Sequence, residues 1–146
     1  MDEINFNKCI KKLGKIFILI VTAIIFYSIL LSLLNMPKYL DPMLKSFTNS
    51  YMKKYLSGWS ISHFILFLFI GYYYSNCFIV AMLYGILWEI FEYVVGEFFP
   101  MLFPTLAYQI DPTWTDWYYG RFEDIIMNFL GFIVGKMIRI MFNIIF

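Results

Sequence analysis

Long stretches without a charged residue constrain this chain more than any other feature. Ile16 to Leu34 provides 19 consecutive residues with no Asp, Glu, Lys or Arg. A membrane-spanning helix needs roughly 20 predominantly apolar residues. No small-residue cleavage site follows Leu34, which favours a retained span over a signal peptide. We therefore predict that residues 16–34 cross a membrane.

Three further apolar runs follow, from Trp59 to Tyr74, from Cys77 to Val95 and from Ile125 to Phe146. Ser75 and Asn76 form a short polar break between the first two of these runs. The spacing predicts a helical hairpin with a tight turn, followed by a fourth spanning helix.

Two mixed segments separate the runs. After Pro42, large apolar residues recur every three or four positions, which predicts an amphipathic helix at the membrane interface. Its apolar positions are Met43, Leu44, Phe47, Tyr51 and Tyr55. Residues 97–120 form a connector whose aromatics, including Trp114 and Trp117, suit a membrane–water boundary. The predicted fold class is an all-α integral membrane protein with about four transmembrane helices plus this interfacial amphipathic helix, in one membrane domain over residues 1–146.

The composition supports a multi-pass integral membrane protein. Hydrophobic residues make up 62% of the chain and charged residues 14%, whereas a soluble globular chain has about 25% charged residues. There is too little polar surface to cover a soluble sphere. The formal net charge of +1 gives no global field that would attract nucleic acid.

The two cysteines, Cys9 and Cys77, are far apart in the sequence and belong to no CxxC motif or Cys/His cluster. This arrangement predicts lipid-facing or packed thiols and argues against a disulfide scaffold or a zinc site.

Six Lys and Arg residues fall on the predicted N-terminal side of the membrane and five on the other. The difference gives only a slight preference for a cytoplasmic N-terminus.

Polar residues occur at corresponding ends of three predicted spans. They are His63 near the start of the second, Glu89 and Glu92 near the end of the third, and Asp124 and Asn128 at the start of the fourth. In an up-down arrangement these ends share one side of the membrane, opposite the N-terminus. Residues three or four apart share a helix face, so we predict that the five side chains surround one cavity, with Arg121 and Glu123 at its rim.

Each of these residues also has a simpler interpretation. The glutamates could reach interfacial water, Asp124 could cap a helix beside Arg121, and Asn128 could join two helices by a hydrogen bond. A lone histidine such as His63 is more often packed than a ligand. Their convergence from three spans favours a functional site, because ionisable groups inside a membrane are costly and are usually retained for function.

The residue types indicate phosphate chemistry with a divalent cation. Carboxylate and amide oxygens suit Ca²⁺, Mg²⁺ or Mn²⁺ better than zinc, and a histidine beside carboxylates can act as a general base. We expect Glu89 or Glu92 to carry the metal and Arg121 to hold a phosphate. The shallow depth of the site points to attack on a phosphate-containing lipid head group.

Gly131 and Gly135 form a GxxxG pair one turn after Asn128. Such pairs allow two helices to approach closely, and we predict this packing role for them. Gly71 and Gly85 are expected to serve the same purpose.

Three segments, "SHFILFLFIGY", "GILWEIFEY" and "RFEDIIMNFLGFIVG", resemble two related membrane families over about residues 59–138. The D-x-x-x-N-x-x-G-x-x-x-G pattern of Asp124, Asn128, Gly131 and Gly135 resembles the VanZ-like family. The chain also resembles the base-exchange phosphatidylserine synthases. This second resemblance is carried by His63, the W-E-x-x-E of residues 88–92, Pro100, and Asp124 with Asn128. This chain is shorter than those synthases, and Met101 stands where they have a polar residue.

The resemblance implies Ca²⁺-dependent exchange of phospholipid head groups. The substrates would be a membrane phospholipid and a small polar alcohol such as serine. His63 would be the base, with Glu89, Glu92, Asp124 and Asn128 around the metal and the substrate. The acid–Asn spacing leaves either Glu123 or Asp124 as the site acid.

Two other functions remain as alternatives. One is a VanZ-like protein without enzymatic activity, which would bind an amphiphile or confer antibiotic resistance. The other is an ion or proton pathway, which is disfavoured because the other half of the predicted spans has almost no polar residues.

Overall fold

The computed structural model describes residues 3–33, 58–102 and 122–145. These residues form helices without any strand, which confirms the all-α class for the described part of the chain. The helices are α1 (Glu3–Leu33), α2 (Gly58–Tyr73), α3 (Phe78–Leu102) and α4 (Phe122–Ile145). The predicted amphipathic helix at residues 43–55 and the aromatic residues Trp114 and Trp117 lie outside the described residues.

Two helices are longer than the predicted spans. α1 begins at Glu3, so the lysine-rich tail before residue 16 is helical. α3 continues past Glu97 to Leu102, where the sequence had suggested a connector. The apolar run predicted the end of α3 wrongly because a single glutamate interrupts hydrophobicity but is itself a good helix former.

The predicted turn between α2 and α3 is confirmed. The Tyr74 amide donates to the Ile70 carbonyl at 2.7 Å, and the Cys77 amide donates to the Tyr74 carbonyl at 2.8 Å. Ser75 and Asn76 form the turn between these bonds.

Neighbouring helices alternate in direction along the chain. α1 and α3 run parallel, because the Tyr84 hydroxyl donates to the Ile10 carbonyl at 3.4 Å and the Phe17 ring lies 5.7 Å from that of Trp88. α2 and α4 also run parallel, in the opposite sense, since Phe64 and then Leu68 contact successive turns of α4. The up-down order assumed from the sequence is therefore the observed one for the described helices.

Glycines bring the backbones of α2 and α4 into contact. A Cβ atom on Gly131 would collide with the carbonyl oxygen of Phe64, and one on Gly135 with that of Leu68. Gly71 presents the reciprocal contact, against the backbone of the fully buried Phe132. The predicted role of the GxxxG pair in close packing is confirmed, and Gly71 shares it.

Arg139 secures the far end of the same helix pair. Its Nη1 donates to the carbonyls of Tyr72 and Tyr73, each at 3.2 Å. The last carbonyls of a helix have no partner within that helix, so α4 supplies one for the end of α2.

Cys9 and Cys77 form a disulfide bond, which corrects the prediction of two unpaired thiols. Their Cα atoms are 5.6 Å apart although 68 residues separate them in the sequence. The prediction failed because it treated the segment before residue 16 as a polar tail. That segment is the first part of α1 and runs beside the start of α3. We call this end of the molecule, which also contains Arg139, the disulfide end.

Residues Phe122–Asn143 of α4 are long and apolar enough to cross a membrane, with a mean hydropathy of 1.8. They are the only described segment that meets both conditions, and α2 is apolar but shorter, at 16 residues. Only 22% of the apolar window in α4 is buried, so this helix is not a covered core helix. The four-span arrangement remains a prediction.

The glycine contact between α2 and α4 yields a first prediction. Replacing Gly135 with Leu should force the two backbones apart, at a cost of at least about 1–3 kcal/mol, as for other overpacked sites. The midpoint of thermal unfolding in detergent should fall. Val134→Leu adds bulk at a neighbouring, outward-facing position of α4 and is the control. Equal midpoints for the two variants would contradict the packing described here.

Candidate functional site

His63 lies in the second turn of α2 and faces both α3 and α4. Its Nδ1 is 3.0 Å from the Oδ1 of Asn128 and 3.6 Å from the Oε1 of Glu89. The side chain of His63 is only 11% exposed. The histidine is therefore held between an amide and a carboxylate contributed by different helices.

Asp124 completes a cluster of three titratable groups. One ligand atom from each of His63, Glu89 and Asp124 lies within 4.8 Å of the other two. Glu89 and Asp124 are each 4% exposed and Asn128 is 1% exposed. We call these four residues the polar cluster, and their end of the molecule the polar end. The predicted convergence of these four side chains is observed, while their catalytic role stays a prediction.

Helix packing explains how the cluster is assembled. The contact of Gly131 with Phe64 fixes the register of α4 against α2. One turn earlier on α4, the same register brings Asn128 beside His63. Asp124 lies a further turn back on the same helix face.

Gly85 provides the space that Asn128 occupies. A Cβ atom at Gly85 would lie 2.8 Å from the Asn128 Nδ2 and 3.0 Å from the Phe67 ring. Gly85 was predicted to bring helix backbones together. Its close neighbours are instead side chains, and one of them is the site residue Asn128. It stands four residues before Glu89, a spacing that places both on one face of α3.

The remaining predicted site residues lie apart from the cluster or outside the described residues. Glu92 is partly exposed, three residues further along α3, and does not belong to the group of three ligand atoms. Glu123 is also partly exposed and outside that group, so Asp124 is the acid within it. Arg121 precedes the first described residue of α4, and its expected phosphate contact lies outside the described residues.

Glu89 is in the middle of α3, whereas the sequence had placed it near the end of a span. α3 continues for thirteen residues beyond it, or about 20 Å at 1.5 Å per residue. The difference follows from the extension of α3 to Leu102. His63 and Asp124 are near the starts of their helices, as predicted.

Several buried polar atoms of the site make no hydrogen bond within the described part of the chain. They are the Oδ1 of Asp124, the Nδ2 of Asn128 and the Nε1 of Trp59. Buried polar groups normally have a partner, so donors and an acceptor remain for a ligand.

Trp59 was not predicted as a site residue. The signal was its position four residues before His63 on the same helix face.

The surroundings of His63 favour one arrangement of its proton. Both groups near its Nδ1, the Oδ1 of Asn128 and the Oε1 of Glu89, are acceptors. A proton on Nδ1 can be donated to the Asn128 Oδ1, lies close to the Glu89 carboxylate and leaves the lone pair on Nε2. An imidazole held in this way can accept a proton from a substrate.

The donor set fits a divalent cation. Two carboxylates within 4.8 Å of each other repel unless a proton or a cation neutralises them. Glu89 and Asp124 provide hard oxygen ligands of the kind that Ca²⁺, Mg²⁺ and Mn²⁺ prefer. These ions take six or more ligands, so a substrate phosphate or water would supply the rest.

An apolar cavity of about 460 Å³ adjoins the polar cluster. It lies between α1, α2 and α3, and His63 and Asn128 contribute to its lining. The volume is within the range of about 300–1,000 Å³ that is typical of ligand sites.

Comparisons with protein-family models, with curated proteins and with solved structures find no match to this chain. The resemblance to VanZ-like proteins and phosphatidylserine synthases therefore stays a prediction from the quoted motifs. The geometry of the polar cluster is the observation that bears on function.

The cluster places Glu89, and not Glu92, among the ligand atoms that could hold a cation. Glu89→Gln should weaken Mn²⁺ binding by about tenfold or more, because changes even outside the ligand shell cost 10–100-fold. Glu92→Gln removes the same charge one turn away and should leave the affinity close to that of the unchanged protein. Electron paramagnetic resonance titration of the purified protein with Mn²⁺ measures both. Equal losses in the two variants would place Glu92 in the site and contradict this assignment.

Proposed function

We propose that this chain is a multi-pass membrane enzyme that exchanges phospholipid head groups at the polar cluster. The observation that carries the proposal is the position of His63, which is held between Asn128 and Glu89 with the carboxylate of Asp124 close by. A buried base beside two acids that can hold a cation suits reaction at a phosphate ester.

The outward faces of the helices support a location in the lipid bilayer. Large apolar side chains are exposed on all four described helices. Examples are Leu19 and Phe26 on α1, Phe69 on α2, Leu87 and Phe91 on α3, and Met137 and Phe142 on α4. Soluble monomers rarely expose continuous apolar patches larger than a few hundred Å². Contact with acyl chains accounts for so much apolar surface.

The proposed reaction is a balanced exchange of two alcohols on phosphorus. The hydroxyl oxygen of a small alcohol such as serine attacks the phosphorus of the phospholipid, and the Nε2 of His63 accepts the hydroxyl proton. The bond between phosphorus and the oxygen of the original head group then breaks, and that oxygen receives the proton. The number of phosphodiester bonds is unchanged, so no oxidant, reductant or nucleotide is needed.

The other residues bind and orient the substrate in this proposal. Glu89 and Asp124 would hold Ca²⁺, whose charge supports the developing negative charge on the phosphate. Asn128 positions the imidazole of His63 through its Oδ1. Arg121 and Glu123 would bind the phosphate and the incoming alcohol at the rim, in line with the prediction from their charge and their place beside Asp124 in the sequence.

A reconstituted activity tests this function. In vesicles of phosphatidylcholine and phosphatidylethanolamine with Ca²⁺ and isotopically labelled serine, lipid mass spectrometry should detect labelled phosphatidylserine. His63→Ala should reduce the rate by about 10²–10⁴-fold, the usual contribution of a general base, and a chelator should stop the reaction. Met137→Ala, on an exposed face of α4, is the control. The proposed exchange is wrong if the unchanged protein modifies no lipid, or if His63→Ala retains full activity.

A second candidate is a protein that binds an amphiphile without transforming it, as the resemblance to VanZ-like proteins suggests. The apolar cavity beside the polar cluster favours this possibility. A binder would keep its affinity for the amphiphile after His63→Ala, whereas an enzyme would lose turnover. Binding without turnover in the unchanged protein would favour the second candidate.

The disulfide suggests how the chain is oriented. Disulfides persist in oxidising compartments and are rare in the cytosol. The disulfide end contains the start of α1 and the turn before α3. We therefore orient this end outward and the polar end toward the cytosol, which reverses the slight preference given by the Lys and Arg counts. Along α3 the two ends are twelve residues apart from Cys77 to Glu89, or about 18 Å.

This orientation has a direct test in cells. After free thiols are blocked and the protein is denatured, a maleimide polymer should label no cysteine without reductant and two with it. An N-terminal epitope tag should be cleaved by a membrane-impermeant protease added to intact cells or spheroplasts. Free thiols in cells, with a tag that is cleaved only after permeabilisation, would reverse the orientation.

A further inference from the structure

The cavity beside the polar cluster is long. Its lining on α1 runs from Leu13 to Tyr27, a separation of fourteen residues or about 21 Å at 1.5 Å per residue. α2 and α3 provide the other walls, including Ile70 and Ala81. The wall formed by α1 lies outside the region that resembles known families.

The two ends of this cavity differ in chemistry. At the polar end, His63 and Asn128 face it, and Trp59 contributes an indole whose Nε1 makes no hydrogen bond within the described residues. Toward the disulfide end, the lining includes Leu13, Ile70 and Ala81, which are apolar. A ligand that fills the cavity must therefore be apolar along most of its length and polar at one end.

We propose that this cavity binds a single acyl chain of a phospholipid, with the head group at the polar cluster. The hydrocarbon core of a bilayer is about 30 Å thick, so one leaflet accounts for about 15 Å, which the 21 Å cavity can contain. The proposal deepens the proposed function and rests on it for the identity of the head group.

The volume favours a thin occupant. A protein helix about 10 Å wide and 21 Å long would occupy roughly 1,600 Å³, more than three times the cavity volume of about 460 Å³. Such a helix would lie only partly within the cavity, which is partly open to the outside. A flexible hydrocarbon chain is much thinner and can lie along the whole cavity.

The attachment of α1 to α3 gives this cavity a fixed third wall. The disulfide from Cys9 to Cys77 fixes α1 against α3 at one end. The Phe17 ring contacts the rings of Tyr84 and Trp88 further along, at 5.2 and 5.7 Å. The third wall is thus held in place, and the cavity is a fixed groove that is partly open to its surroundings.

Photo-crosslinking tests the proposal. The probe is phosphatidylethanolamine with a diazirine in the middle of one acyl chain, incorporated into vesicles with the full-length protein, and labelled peptides are mapped by mass spectrometry. We expect labels on the cavity side of α1 and α3, in excess of those on the outward faces. Ala23→Trp fills the cavity and should reduce the cavity labels several-fold. Ile25→Trp adds the same ring on the outward face of α1 and should leave them unchanged.

Two results would overturn the proposal: labels confined to outward-facing residues, or equal cavity labelling in the Ala23→Trp and Ile25→Trp proteins. Circular dichroism and the unfolding temperature of both variants establish that each is folded. If Ala23→Trp fails to fold, competition in the unchanged protein decides instead. Unlabelled phospholipid with 16-carbon chains should displace the cavity label at lower concentration than phospholipid with 8-carbon chains, and equal displacement would contradict the proposal.

The same experiment in the His63→Ala protein separates this inference from the proposed function. Cavity labelling that persists there, together with a lack of head-group exchange by the unchanged protein, would support the acyl site and remove the enzyme. Exchange activity without cavity labelling would support the enzyme and rule out the acyl-chain site.

Discussion

The backbone contact between α2 and α4 determines most of what this molecule can do. Gly131 and Gly135 allow the carbonyls of Phe64 and Leu68 to approach α4 directly, so the two helices lie closer than side chains would permit. This contact fixes their register. One turn away, the same register places Asn128 beside His63. The geometry of the site is thus a consequence of packing between two helices that each contribute part of it.

Burial of the polar cluster lowers the free energy of unfolding, so the folded state depends on stabilising contacts elsewhere, such as the packing of α2 against α4. Glu89, Asp124 and Asn128 are almost completely buried, and burying polar or charged groups is costly unless they are paired. The close α2–α4 contact and the disulfide are both suited to offset that cost, by dispersion between backbones and by restricting the unfolded chain. The disulfide lies away from the polar cluster, whereas the α2–α4 contact begins one turn from Asn128 and also sets the geometry of the site.

Sequence periodicity predicted the helices well and their ends poorly. The apolar runs located α2, the turn at Ser75 and Asn76, and α4 within a few residues. They missed the first turns of α1, which are rich in polar residues, and the last turns of α3, where Glu97 interrupts the apolar run. Polar residues of this kind are compatible with a helix. Both errors had consequences, since one concealed the disulfide and the other misplaced Glu89 within its helix.

The sequence by itself determined that the described chain is helical and apolar, and that three of its helices carry polar residues that an up-down order brings to one level. Spacing of three or four residues was sufficient for this, because it assigns side chains to helix faces without reference to any neighbour. Only the tertiary structure decided which side chains meet. It selected Glu89 over Glu92 and Asp124 over Glu123 for the cluster, added Trp59, and joined Cys9 to Cys77 across 68 residues. These choices depend on the rotation and register of one helix against another, which local periodicity does not encode.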